Sequence, residues 1–386
     1  MRIIGYHPRL IYPDVPQMQL ADYEAAIACF TERFGREFAG EYVIYQFGAI
    51  RTPGVSDIDL LIVVKDEFWK KAREIAKTII ASSGALHYLF AHEPLTICQS
   101  LLPHINLLHT LENLKFLNGT WDPIEQPDGQ DRLPGDVRLF GHAIWNSIMR
   151  VSASAFEDAV IGLRHSLVLV NNLLNSARRG NEFLTQPVTI PFSTEQMRSE
   201  VLSAALPNQE QLLKGFIRQT IELLNKVDSL IDQELASRIG LAITHSDVLA
   251  LTKRRFIVTP LSISTTKAVL HSPWDKLLAG VDLIPVPAYP VVFSALLARE
   301  CRNDFPEYRV LTRSKLLLPA FNHPGFMQYV DGVKAASAIF RKYRMDYFLP
   351  RPFSIKPIKL SGPDRAIQIA RQLAAQKFLS GDMSNG

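Results

Sequence analysis

Residues 45–64, YQFGAIRTPGVSDIDLLIVV, constrain the fold of this 386-residue chain more than any other segment. Two carboxylates, Asp57 and Asp59, stand at the start of an otherwise apolar run that ends at Val64. A run of aliphatic and β-branched residues with so few polar members predicts a strand that is covered on both faces. Because side chains alternate along a strand, we expect both carboxylates on the same face.

A second strand is predicted just before this one, from Glu41 to Phe47, and it ends at Gly48, whose missing side chain lets the backbone approach a ligand closely. Two like charges on a mostly buried strand repel each other and lose hydration, and a divalent cation offsets both costs. Carboxylate oxygens suit Mg²⁺, which typically takes one or two of them together with substrate phosphates. The segment therefore predicts metal and phosphates side by side, as phosphoryl-type transfer requires.

The flanking sequence predicts a small α/β unit around these strands. Apolar residues at helical spacing predict a helix from Leu20 to Phe38, and an amphipathic helix is predicted from Lys65 to Ser82. A third strand is expected from Leu86 to Cys98, with a break near Pro94, because proline donates no hydrogen bond to a sheet.

This arrangement resembles the DNA polymerase β-type nucleotidyltransferase superfamily. The signature of that superfamily is a strand ending in Gly-Ser or Gly-Gly, a loop, and then a strand with Asp-hydrophobic-Asp or Glu. Phe47 and Gly48 match the strand end, and residues 56–60, SDIDL, match the metal strand. The resemblance covers residues 20–120 in detail. A helical second domain, as in the minimal and kanamycin-nucleotidyltransferase-like branches, matches in outline.

The resemblance implies roles for three acidic residues. Asp57 and Asp59 would bind Mg²⁺ or Mn²⁺. Glu93 is the one acidic residue of the predicted third strand, where the superfamily normally places a third carboxylate. It would complete the metal site or act as a base toward the acceptor hydroxyl, and the alternative is a partly exposed glutamate at the sheet edge.

The resemblance also implies four nucleotide-binding residues. The backbone N–H groups of Gly48 and Ala49 would meet the phosphates, although Ala49 stands where the superfamily has serine or glycine and supplies no hydroxyl. Arg51 could replace that lost contact. Ser56 would either fix the rotamer of a neighbouring carboxylate or cap the turn, and the sequence favours the turn.

The chain divides by composition into three predicted parts, together an α+β protein. Residues 1–125 form a small mixed-sheet core, and residues 135–239 form a helical domain after a stretch rich in Pro, Asp and Gly. Residues 240–386 form a mixed α/β region of unknown fold. Four helices are expected in the middle part, at 137–150, 156–179, 194–206 and 210–237, and a terminal one at 364–378. We find no internal repeat in the sequence.

Composition sets limits on location and partners. No run of about eighteen apolar residues predicts a membrane span, and the N-terminus lacks the apolar core of a signal peptide. Three cysteines without CxxC spacing indicate buried free thiols rather than a disulfide framework or a zinc site. We therefore expect a cytoplasmic protein without a membrane partner. A net charge of +4 without a strong basic cluster does not favour a nucleic-acid partner.

The leading functional hypothesis is an enzyme that moves a nucleoside monophosphate from a nucleoside triphosphate to an acceptor, with release of pyrophosphate. The sequence leaves the acceptor open among a small hydroxylated molecule, a protein side chain and a second nucleotide. A first alternative is a nucleotide-binding or regulatory module on the same fold, inactive because of Ala49. A second alternative is that Asp57 and Asp59 merely cap a structural turn.

Overall fold

The computed structural model of the protein describes residues 15–90, 93–108, 111, 114–121, 133–142, 163–239 and 323–345, together with four strands between residues 248 and 312. The described chain is an α+β protein that consists mostly of helices, with small mixed four-stranded sheets. The predicted fold class is confirmed at this level.

The N-terminal sheet contains the residues singled out above. Its strands are β1 (Tyr42–Phe47), β2 (Asp59–Val64), β3 (Leu95–Cys98) and β4 (Lys115–Gly119), in the spatial order β3-β2-β1-β4. Strand β1 runs antiparallel to β2 and β4, whereas β2 and β3 are parallel. Each residue from Leu60 to Val64 is 0% exposed to solvent. Strand β2 is therefore covered on both faces, as its apolar sequence predicts.

Three helices pack with this sheet. Helix α1 spans Leu20–Glu37, α2 spans Trp69–Ala81 after a short 3-10 turn, and α3 spans Gly84–Leu89. Helix α1 packs against both α2 and α3. The side chains of Tyr23 and Phe30, two helical turns apart, are 0% exposed, so the apolar stripe read from the sequence is the face that α1 buries.

The predicted strand Leu86–Cys98 is wrong in its first half. Residues up to Leu89 belong to helix α3, and only Leu95–Cys98 form a strand. A short apolar run does not distinguish a strand from a buried helical segment, which explains the error. Pro94 lies immediately before the strand, where its missing N–H breaks no pairing to β2.

Helices dominate the middle of the described chain. Residues 135–142 are helical, followed by α5 (Leu163–Asn181), α6 (Thr194–Ser203) and α7 (Leu206–Ile239). A short helix α4 (Ile105–Leu108) precedes them in the connection from β3 to β4. The break expected between the predicted helices 194–206 and 210–237 is present but lies earlier, at residues 204–205. Pro207 belongs to the first turn of α7, where its missing N–H disrupts no helical hydrogen bond.

A helix from the C-terminal part returns to the N-terminal sheet. This helix, α8 (Pro324–Tyr343), has no counterpart in the sequence reading. Its last residue accepts a hydrogen bond from Trp69 Nε1 (3.0 Å) at its backbone oxygen and donates its hydroxyl to Asp66 (2.7 Å). Met345 Sδ lies 3.9 Å from Cys98 Sγ. The predicted terminal helix at 364–378 lies outside the described residues.

A second four-stranded sheet repeats the topology of the first. Its strands are β5 (Val248–Leu251), β6 (Arg255–Val258), β7 (Asp282–Pro285) and β8 (Arg309–Thr312), in the order β7-β6-β5-β8. Strand β5 runs antiparallel to β6 and β8, whereas β6 and β7 are parallel, and the corresponding strands of the first sheet have the same directions. The two sheets share their strand order and directions although the sequence shows no repeat. Residues 248–258, VLALTKRRFIV, contain no carboxylate.

None of the described helices has the length and apolar character to cross a membrane. The cysteines agree only in part with expectation: Cys98 is buried, whereas Cys29 is exposed, and both are free thiols. Cys301 lies outside the described residues.

Candidate functional site

The carboxylate of Asp59 lies beside the glycine that follows strand β1. Phe47 pairs with Asp59 across the antiparallel ladder, so the next residue, Gly48, stands at the same end of the sheet. Gly48 has φ +72°, in the left-handed region, and a Cβ placed on it would lie 3.3 Å from Asp59 Oδ2. The tertiary structure thus brings the predicted glycine and the predicted carboxylate together without a side chain between them.

Asp57 and Asp59 border a buried residue at the start of β2. Ile58 is 1% exposed, whereas both aspartates are partly exposed. The backbone N–H of Ile58 donates to the carbonyl of Leu89 at 2.9 Å, which fixes the chain just before the strand. Ile58 anchors this segment in the core. Asp57 lies just before β2 and Asp59 is its first residue, so both partly exposed carboxylates stand at the beginning of this strand, where they can offer oxygen ligands to a cation.

Two tyrosines hold the loop between β1 and β2 from the side of the core. The hydroxyl of Tyr23 on α1 donates to the carbonyl of Ser56 (2.7 Å) and accepts from the N–H of Gly54 (3.0 Å). The hydroxyl of Tyr88 on α3 donates to the carbonyl of Gly54 (2.5 Å). Gly54 has φ +84°, and a Cβ on it would lie 2.5 Å from the carbonyl oxygen of Pro16. The loop therefore has one well-defined backbone path.

An arginine from the helical region holds the same loop from the other side. Arg164, near the start of α5, donates from Nε to the carbonyl of Val55 and from Nη2 to that of Ser56, each at 3.0 Å. Its Nη1 donates to the carbonyl of Tyr88, and its guanidinium lies 4.1 Å from the centroid of the Tyr88 ring. One guanidinium thus satisfies three backbone acceptors, which its planar fork of donors allows.

Helix α6 supplies two further contacts to the loop. Arg198, only 5% exposed, donates from Nη1 to Thr52 Oγ1 at 3.0 Å. Burial lowers the pKa of Arg198, and the negative charges of Glu195 and Asp57 oppose that shift. Arg51 forms an ion pair with Glu195, with 3.2 Å between Nη1 and Oε1. The carboxylate end of the sheet is therefore bordered by arginines from the loop and from two helices.

The remaining predicted nucleotide-binding residues differ in their surroundings. Ala49 is exposed next to Gly48. Ser56 is 5% exposed, and its hydroxyl accepts a hydrogen bond from the N–H of Thr52 at 3.1 Å. The bond of Ser56 within the loop is the turn role that the sequence favours for this residue.

Glu93 does not join the aspartates. Its carboxylate forms ion pairs with two cations of helix α2, Arg73 (3.0 Å) and Lys77 (3.6 Å). Within the part of the chain that the structure describes, no three His, Cys, Asp or Glu side chains form a group that could hold a metal ion. Glu93 therefore does not form the expected cluster of three carboxylates, and Asp57 and Asp59 are the two acidic residues at the beginning of β2.

Sequence reasoning missed five residues that build this site: Tyr23, Tyr88, Arg164, Glu195 and Arg198. The two tyrosines look like ordinary core residues, because only the contact partner reveals the role of the hydroxyl. The three charged residues lie more than 100 positions away from the loop along the chain. No local pattern marks them. The one available signal is that Arg198 lies beside Met197 and at helical spacing from Thr194 and Val201, the other residues that α6 buries.

No family model, curated protein or solved structure matches this chain. The site combines two carboxylates at the beginning of β2, a glycine against one of them, and a loop flanked by arginines.

Proposed function

We propose that this protein is a metal-dependent nucleotidyltransferase that moves a nucleoside monophosphate from a nucleoside triphosphate to an acceptor, with release of pyrophosphate. The observation that carries the proposal is the close approach of Gly48 to Asp59, the first residue of β2, with Asp57 two residues before it in the chain. It supports nucleotidyl transfer because backbone that phosphates can approach closely lies next to oxygen ligands for a cation.

The residues present fit a hard divalent cation. Asp57 and Asp59 are partly exposed, so they can reach a cation and still keep some hydration. They are the residues that would hold Mg²⁺ or Mn²⁺, and a bound ion would neutralise charge on the phosphates and orient them for displacement. With Glu93 paired to Arg73 and Lys77, the proposal relies on two protein carboxylates.

The chain's own groups would position the triphosphate. The backbone at Gly48 and Ala49, partly exposed and exposed respectively, offers N–H donors, and Arg51 offers an exposed cation on the same loop. The tyrosines and Arg164 hold residues 54–56, the end of the loop that leads into Asp57. Catalysis of phosphoryl-type transfer is mostly positioning and charge stabilisation, which this arrangement suits. The acceptor can be a small hydroxylated molecule, a protein side chain or a second nucleotide.

A second candidate function is a nucleotide-binding or regulatory module without turnover. Two observations favour it: Ala49 supplies no hydroxyl, and Glu93 is engaged by cations of α2 rather than facing the aspartates. The two functions differ in one measurable way, because the module binds the metal–nucleotide complex but releases no pyrophosphate.

The experiment combines thermal unfolding with a pyrophosphate assay. The protein is heated with each of the four nucleoside triphosphates and Mg²⁺ or Mn²⁺, and pyrophosphate release is measured with candidate acceptors. We expect stabilisation of the wild type that Asp59→Asn abolishes, because the amide no longer opposes the cation. Asp331→Asn, the same change at a side chain that is 68% exposed on α8, serves as control. Equal stabilisation of Asp59→Asn and wild type would exclude this metal site.

A further inference from the structure

The ion pair between Arg51 and Glu195 joins the candidate metal loop to helix α6. Arg51 lies in the loop between β1 and β2, and Glu195 lies in the first turn of α6. Their charged groups are 3.2 Å apart, and each side chain is 54% exposed. Glu195 remains an anion, because a backbone hydrogen bond at the helix start lowers the pKa of its carboxyl group and Arg51 lowers it further.

Such an exposed ion pair is easily exchanged for a stronger partner. Exposed pairs change an equilibrium by about fivefold at most, because water competes for both charges. The pairing of an arginine with a phosphate group is more favourable than an exposed pair with a carboxylate, since phosphate carries a higher charge and its oxygens match the guanidinium fork. If a triphosphate reaches this loop, Arg51 is therefore expected to leave Glu195 for it.

The surroundings allow this exchange without rearrangement of the loop. Arg198 lies one helical turn after Glu195 on α6, and it holds Thr52, the neighbour of Arg51, through a buried hydrogen bond of 3.0 Å. The backbone beyond Thr52 is fixed by Tyr23 and Arg164. Only the side chain of Arg51 has to turn, and two residues before it Ala49 leaves an exposed surface without a hydroxyl.

We infer that Glu195 pairs with Arg51 while no substrate is bound, and that the terminal phosphates of a nucleoside triphosphate displace Glu195 from the guanidinium. In this role Arg51 supplies the phosphate contact that Ala49 cannot make, and Glu195 competes with the substrate. The inference rests on the proposed function and adds to it a phosphate-binding residue and its internal competitor.

A double-mutant cycle tests the inference. The dissociation constants of the four nucleoside triphosphates are measured with Mn²⁺ for wild type, Arg51→Gln, Glu195→Gln and the double variant. We expect Glu195→Gln to bind about threefold to fivefold more tightly than wild type, because the competitor is gone. Arg51→Gln should bind about tenfold more weakly or worse, as one charge-assisted contact is lost. The double variant should match Arg51→Gln, since Glu195 acts through Arg51.

A control separates this exchange from plain charge repulsion. Glu200→Gln removes a charge from the same helix, at a residue that bonds Gln196 rather than the loop, and it should leave binding unchanged. If Glu195→Gln tightens binding equally in the Arg51→Gln background, Glu195 merely repels phosphate and the inference is wrong. It is also wrong if Arg51→Gln binds as wild type does.

Measuring Asp59→Asn beside the cycle separates this inference from the proposed function. Binding that Asp59→Asn abolishes but Arg51→Gln leaves intact overturns the inference alone. Wild-type protein that binds none of the four triphosphates overturns the proposed function and the inference with it.

Discussion

Asp59 Oδ2 lies 3.3 Å from the position that a Cβ would take on Gly48, so the carboxylate is packed against a residue that has no side chain. The backbone of Gly48, at φ +72°, is also in a conformation that costs other residues free energy. For both reasons this position requires glycine, because a larger residue would strain the turn and would also press against the carboxylate of Asp59.

Gly48→Ala should therefore destabilise the protein by about 1–3 kcal/mol and weaken metal-dependent triphosphate binding. Urea denaturation and thermal shifts with Mn²⁺ and nucleotide measure the two effects. Gly215→Ala is the matched control, since a Cβ there meets nothing within 4 Å and helix α7 should gain about 0.5–1 kcal/mol. Unchanged binding by Gly48→Ala would contradict the idea that phosphates approach this backbone.

Glu93→Gln should leave nucleotide binding and turnover within about threefold of wild type, because this carboxylate pairs with Arg73 and Lys77 and the metal relies on Asp57 and Asp59. Pyrophosphate release under saturating triphosphate is the measurement. A fall of about 100-fold would instead support the base role that the sequence suggested for Glu93. Such a result would mean that the Glu93 carboxylate leaves its partners Arg73 and Lys77 on α2 when substrate binds.

Arg164→Met should destabilise the protein by about 2–3 kcal/mol, because the apolar side chain keeps the volume of the stem while the carbonyls of Val55, Ser56 and Tyr88 lose their donor. Urea denaturation followed by circular dichroism gives the change. Arg178→Met on the same helix, where the guanidinium bonds only to Asn175 among the described hydrogen bonds, should change stability by at most about 0.5 kcal/mol. Equal effects of the two variants would mean that the guanidinium of Arg164 does not hold the loop.

His142 should make stability depend on pH. Burial, together with the nearby positive charges of Arg179 and Arg138, lowers its pKa to about 3. Below about pH 6.5 the unfolded chain takes up a proton that the folded protein refuses until about pH 3. The free energy of unfolding should therefore fall as pH decreases through this window, by at most about 1.4 kcal/mol per pH unit.

Chemical denaturation at several pH values checks this dependence. His142→Gln should flatten the fall between pH 6.5 and 4, whereas His87→Gln, at an exposed histidine of α3, should preserve it. An identical slope in wild type and His142→Gln would show that other groups cause the acid sensitivity.

The elements around the candidate site could be predicted because their signals are local. The stripe of Tyr23 and Phe30 predicts helix α1, and the apolar run to Val64 predicts β2, since burial of one face or both leaves its period in the sequence. The approach of Gly48 to Asp59 also follows from local order, because a hairpin that joins β1 to β2 brings their facing ends together.

Other features were decided by partners that are distant along the chain. Whether Glu93 lies near the aspartates or near the cations of α2 depended on how α2 and α3 pack in the fold. The apolar run alone did not show that residues 84–89 form a helix. The return of α8 to Trp69 and Asp66 likewise depends on packing between distant segments.

The sequence by itself determined strands β1 and β2, the glycine and the two carboxylates, because hydrophobic period, turn residues and the cost of like charges act over a few neighbouring positions. Only the tertiary structure decided which side chains surround them. Arg164, Glu195 and Arg198 reach the loop through hydrogen bonds and ion pairs between segments more than 100 residues apart, and such contacts leave no periodic trace. The shared topology of the two sheets is of the same kind: backbone pairing repeats it, while the side chains, and with them the acidic pair, do not.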